Sequence, residues 1–126
     1  MEAAWAGRCN QNWLWHWHRL WLWHLRLHTL RSLAPLVYAI REQDRSLADQ
    51  LKRAAQSVVL NIAEARGNDA GNARARFSTA CGSAKEVRAA LNVASDWGYI
   101  ESHTATHLDG KLDQVCAITW CLGRKL

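Results

Sequence analysis

From His28 onward, apolar residues recur every three or four positions in four stretches, separated by short polar or glycine-containing breaks. That spacing is the mark of an amphipathic helix, which buries one stripe and wets the rest. The most legible stretch predicts a helix over about Arg45 to Ala65. Leu47, Leu51, Ala54, Val58 and Ile62 form its apolar stripe, widened by Ala55 and Val59, with Arg45, Asp49, Lys52, Arg53 and Gln56 opposite. Before it, Leu30, Leu33, Val37 and Ile40, broadened by Leu36, predict a first helix from His28 to about Glu42. Pro35 falls inside that helix and either kinks it or breaks it into two pieces. The run at residues 41–45 reads as a short turn, in which Asp44 caps the next helix.

After the second helix, the segment at residues 67–71 pairs a terminating glycine with a helix-starting Asn or Asp, so antiparallel neighbours are expected. A third helix from about Asn72 to Trp97 lines up Ala73, Phe77, Ala80, Ala84, Val87, Leu91 and Ala94. Its core residues are mostly small, and Gly82 is expected where a neighbouring backbone comes closest. A fourth, from Ser102 or Thr104 to about Gly123, turns Leu108, Leu112, Val115, Ile118 and Leu122 inward. Four helices too amphipathic to stand alone must share a core. The expected fold class is therefore all-α, an antiparallel up-and-down four-helix bundle over residues 23–126.

Residues 1–22 break the pattern. The sequence WLWH at residues 13–16 recurs at 21–24, and the alternation around it is closer to a strand than to a helix. A lone strand has no partner in a helical chain, so much of this leader is expected to extend the first helix backwards. Trp5, Trp13, Trp15, Trp17, Trp21 and Trp23 exceed what one small core absorbs, and they form a candidate interface; Trp97 and Trp120 are expected to supply bulk within the bundle. His16, His18, Arg19, His24 and Arg26 interrupt the leader, so it is neither a membrane span nor a secretory signal. A membrane-surface role for the tryptophans is an alternative, though a lipid partner is not the favoured one.

The chain has 126 residues, enough for one domain, and a formal charge of +5 from 16 Lys and Arg against 11 Asp and Glu. That balance permits an anionic partner without requiring one. Arg45, Lys52 and Arg53 on the second helix, with Arg74, Lys85 and Arg88 on the third, are the candidate nucleic-acid face. Asp49, Asp69 and Asp96 dilute it. Ser57, Asn61 and Glu64, with Ser83 and Glu86 facing them, are expected to form a structural polar network rather than a reaction centre. No histidine base accompanies them, and no Glu-x-x-His pairing marks a di-iron bundle. The pairs His24/His28 and His103/His107 have ligand spacing, but two ligands fall short of a structural metal site. The four cysteines, Cys9, Cys81, Cys116 and Cys121, read as reduced thiols of a cytoplasmic protein. No cofactor, metal or catalytic residue is expected, and the chain is read as not an enzyme.

The stretch QLKRAAQSVVLNIAEARG at residues 50–67, followed by ARARFSTACGSAKEVRAALNVASDWGYI at residues 73–100, resembles a bacterial four-helix-bundle family first noticed as proteins encoded within intervening sequences of 23S ribosomal RNA genes. Gln50, Leu51, Arg53, Ala54, Ala55, Ser57, Asn61, Ile62, Ala63 and Glu64 carry the likeness, then Phe77, Gly82, Ser83, Glu86 and Leu91. It spans roughly residues 26–123. The chain departs from the family pattern at Ala65, where a Gly is usual, at Val59, where a Pro is frequent, and near Leu27, where an aromatic is usual. The resemblance implies ring-shaped homo-oligomers, often pentamers. One branch of the family is a basic accessory protein that engages a reverse transcriptase and its template RNA. A non-enzymatic oligomeric scaffold or binding protein is therefore expected, with RNA or a reverse-transcriptase-like protein as candidate partners.

Overall fold

The computed structural model describes residues 2–7, 25–65 and 69–124. Among them every regular element is helical: a short α1 (Glu2–Ala6), a π-helical segment (Leu25–Leu30) that runs straight into α2 (Arg31–Gln43), then α3 (Arg45–Ala65), α4 (Ala70–Asp96) and α5 (Ser102–Arg124). The four long helices pack up and down in chain order. α4 lies along both α3 and α5, and the π-helical segment touches α5 to bring the first and last helices together.

The ends of these helices are written in local chemistry. Asp44 is the whole link between α2 and α3: its N–H closes on the Ile40 carbonyl at 2.7 Å, while its carboxylate accepts from the Leu47 N–H at 2.9 Å. The expected five-residue turn is thus a single capping residue. Asp69 caps α4 by accepting from the Asn72 N–H at 3.0 Å, and that bond holds its carboxyl below the usual range. At the other end of α4, Gly98 adopts φ 77° and donates to the Ser95 carbonyl at 3.0 Å, while Tyr99 donates to Ala94 at 2.8 Å. These two bonds need a left-handed residue at position 98, which glycine supplies without a steric cost.

Pro35 sits inside α2, and the helix continues through it. It has no N–H for the Arg31 carbonyl, and the wider π-helical turn lies immediately upstream, so the backbone ladder is irregular over one stretch rather than broken.

Two apolar clusters fill the bundle. One gathers Leu33, Ile40, Leu47, Leu51, Val87, Leu91, Leu108 and Leu112 from all four long helices. The other lies toward the opposite end, where Val58, Ile62, Phe77, Val115 and Ile118 close around small residues, and where Trp5 of α1 is fully buried. No residue of α2 belongs to this second cluster. Trp5 therefore is part of the core, contrary to its expected place among the surplus tryptophans. Its indole N–H donates to Asp113 at 3.0 Å, and its ring meets that of Trp120 at 6.5 Å between centroids, tilted by 59°. Trp97, expected to be structural, is exposed instead. Trp13, Trp15, Trp17, Trp21 and Trp23 lie outside the described residues.

Gly82 also departs from expectation. A side chain built there meets nothing within 4 Å, so no neighbouring backbone requires a glycine. Its replacement by alanine is expected to stabilise the protein by about 0.5–1 kcal/mol through helix propensity alone. Urea unfolding of Gly82→Ala checks this; a destabilised variant would mean that the position is constrained after all.

Candidate functional site

Arg45, Lys52 and Arg53 stand exposed on the outer side of α3. At about 100° per residue they fall within an arc of about 100°, and at about 1.5 Å per residue they span roughly 12 Å of helix. Asp49 lies among them, but its carboxylate is taken by Arg41, with Nη2 at 2.9 Å from Oδ1. No carboxylate of the described residues pairs with Arg45, Lys52 or Arg53. Arg53 and Glu86 line opposite walls of a groove of about 410 Å³ between α3 and α4.

The other three basic candidates are placed differently. Arg74 and Lys85 line a second cavity, about 610 Å³, between α4 and α5. Lys85 lies 3.5 Å from the Glu2 carboxylate and 5.4 Å from the centre of the Trp5 ring, so it also holds α1 in place. Arg88 is only 15% exposed and grips Asp109 with two parallel bonds, Nε to Oδ1 at 2.8 Å and Nη2 to Oδ2 at 3.0 Å. Its Nη1 reaches Asp113 at 3.1 Å, the same carboxylate that receives the Trp5 indole. The Asp109 hydrogen bonds raise the Arg88 pKa above its already high ordinary value. The six residues thus divide into a group on α3, a pair at the α4–α5 cavity, and one internal cross-link.

The structure brings four of the five polar-network residues together. Ser57 and Ser83 share a hydrogen bond of 2.7 Å between hydroxyls, and Asn61 donates to both the carbonyl and the hydroxyl of Ser57 at 2.8 and 3.0 Å. Arg76 completes the set, donating to Asn61 at 3.4 Å and pairing with Glu64 at 3.0 Å. Glu86 has no hydrogen-bond or ion-pair partner among the described residues and faces the groove instead. Sequence reasoning missed Arg76, although a signal exists. Across an antiparallel hairpin, facing residues have a constant sum of numbers, and the pairs 57/83 and 64/76 both sum to 140.

Cys81 and Cys116 are free thiols buried against each other across α4 and α5. Cys121 is disulfide-bonded rather than reduced, which corrects the expectation for that residue. His28, His103 and His107 are exposed. His103 Nε2 lies 3.2 Å from a Glu101 oxygen, and His24 is outside the described residues. Among the described residues, no group of three or more His, Cys, Asp or Glu is placed to hold a metal, and no helix is long and apolar enough to cross a membrane.

With this arrangement in view, the chain matches the family model described as 23S rRNA-intervening sequence protein, over residues 28–120. The chain belongs to that family. The matched region is the bundle itself, starting within the π-helical segment and leaving the leader outside. No curated protein and no solved structure matches the chain. Family membership and the helical architecture together make this an all-α domain of that family.

Arg88 is expected to be a stabilising residue whatever the protein binds. Arg88→Gln leaves two half-buried carboxylates without their guanidinium, and a loss of about 2 kcal/mol is expected, between the values for exposed and buried pairs. Urea unfolding measures it, and adding Asp109→Asn should recover part of the loss. A cost below about 0.5 kcal/mol would make this an ordinary surface pair.

Proposed function

We propose that this chain is a homo-oligomeric binding scaffold that holds RNA, alone or with an RNA-bound protein, along the outer side of α3. The observation behind this reading is that Arg45, Lys52 and Arg53 are exposed on one side of one helix with no carboxylate of the described residues paired to them. Cations left in this way bind phosphates by releasing counterions, an interaction that gives affinity without reading base sequence. Three charges on one chain make a weak site. Symmetry repeats them, so an oligomer turns a weak patch into a continuous one. Tyr38, Leu60 and Trp97, which are 72%, 60% and 71% exposed, offer apolar area for the seams between subunits. The family resemblance to ring-forming proteins and to the accessory protein of a reverse transcriptase supports the same reading.

The same exposed apolar residues favour a second reading, a scaffold for another protein with no RNA involved. Fluorescence polarisation with a labelled single-stranded RNA separates the two. Affinity should fall steeply between about 50 and 200 mM salt. The triple variant Arg45→Gln, Lys52→Gln, Arg53→Gln should bind at least about tenfold more weakly at low salt, with the slope of log affinity against log salt reduced by about 2, near 0.7 for each lost phosphate contact. Unchanged affinity and slope would remove RNA from this face and leave the protein scaffold.

A further inference from the structure

Cys81 and Cys116 sit opposite one another midway along the α4–α5 seam. Cys81 Sγ lies 3.6 Å from the Cys116 carbonyl oxygen, and Cys116 Sγ lies 4.0 Å from the Cys81 carbonyl oxygen. This reciprocal fit puts each side chain against the other's helix at one level of the seam. The level is set independently, because residues 88 and 109 of the Arg88–Asp109 bridge sum to 197, as do 81 and 116. The two sulfurs are nevertheless not equivalent. Cys116 is closed off completely, whereas Cys81 lines the cavity of about 610 Å³ between α4 and α5. A small solute can enter that cavity and reach one thiol of the pair.

We infer that Cys81 is an oxidation site for a small peroxide and that Cys116 is its resolving partner, so that the two close a reversible disulfide across α4 and α5. The Cys81 thiolate attacks one oxygen of hydrogen peroxide, and the O–O bond breaks. The departing hydroxide takes up a proton as water, leaving Cys81 as a sulfenic acid. The Cys116 sulfur then attacks the Cys81 sulfur, the S–O bond breaks, and the second hydroxide leaves as water with the Cys116 proton. Two thiols are oxidised and one peroxide is reduced to two waters.

The surroundings suit this division of labour. A hydrogen bond from Cys116 stabilises the charged Cys81 sulfur, and Thr119 and Lys85 add to the effect, so its pKa is lowered against the opposing influence of burial. The same hydrogen bond, with burial, pushes Cys116 upward and keeps its proton in place until it is needed. The inference is independent of the RNA reading, since none of the α3 cations takes part.

The test is peptide mapping of the full chain after mild hydrogen peroxide treatment and alkylation of the remaining thiols. The expected product is a Cys81–Cys116 linked peptide within one chain, released by dithiothreitol. In Cys116→Ser, Cys81 should instead accumulate as a sulfenic acid that dimedone labels. Two results would overturn the inference. In one, both cysteines remain open to alkylation after unfolding, at a peroxide dose that oxidises a reference thiol. In the other, Cys81 is linked to a different cysteine or to a second chain. The mapping of the unsubstituted protein decides the matter even if the serine variant folds poorly.

Discussion

Everything in this bundle depends on α4 lying close to two neighbours at once along a surface half of which is alanine. Ala73, Ala80, Ala84 and Ala94 are buried on α4, and Ala54, Ala55 and Ala65 on α3. Small side chains let helix axes approach, but they fix little: an alanine stripe presents few knobs, and a helix sliding by one turn along it meets much the same surface. The large residues at the two ends, Phe77 on α4 with Val58 and Ile62 at one, Leu91 with Leu51 and Leu112 at the other, limit that sliding. Polar pairs set the level more finely. Ser57 with Ser83 and Glu64 with Arg76 key the α3–α4 seam, and Arg88 with Asp109 keys the α4–α5 seam. These groups would lose their partners if either seam moved, and an unpaired buried or half-buried polar group is costly.

This division of work governs the surface as well. Cations that lock a seam are neutralised where they stand, as Arg88 is by two carboxylates and Arg76 by Glu64. Arg41 does the reverse for its neighbours. By binding Asp49 it removes the negative charge that would otherwise sit amid Arg45, Lys52 and Arg53. Net charge taken from composition misses this, because the field at a surface depends on which charges have been paired. Lys85 belongs to neither class. It holds α1 through Glu2 and Trp5 while bordering the cavity that leads to Cys81.

How much could be read beforehand follows from the range of the interaction concerned. The bounds of α3 and the cap at Asp44 were legible, and the cap of α4 was narrowed to an Asn or Asp, because a stripe of Leu, Val and Ala and a capping carboxylate act within a few residues. The four-helix architecture was legible for the same reason, with the likeness in residues 50–100 adding to it. The π-helical entry to α2 was not, since Pro35 announces an irregularity without specifying its form. Gly82 was misread because a glycine in a helix signals either a close approach or an open side, and only the neighbours distinguish them. Trp5 was hidden most deeply. Its partner Asp113 is 108 residues away, and nothing around it in the sequence separates it from the tryptophans that follow. The candidate face was half legible: exposure on α3 follows from helical period, but the commitment of Arg88 depends on the register between two helices.

The claim that joins fold to function is that the chain works as an assembly, with the α3 cations repeated by symmetry. Light scattering of the purified chain across a wide concentration range tests it most directly. The expected result is a single mass of at least two chains, a whole multiple of 14.3 kDa that does not drift with concentration. A particle of 14.3 kDa at every concentration would contradict it, because an isolated chain offers too few cations on α3 to make the proposed binding surface.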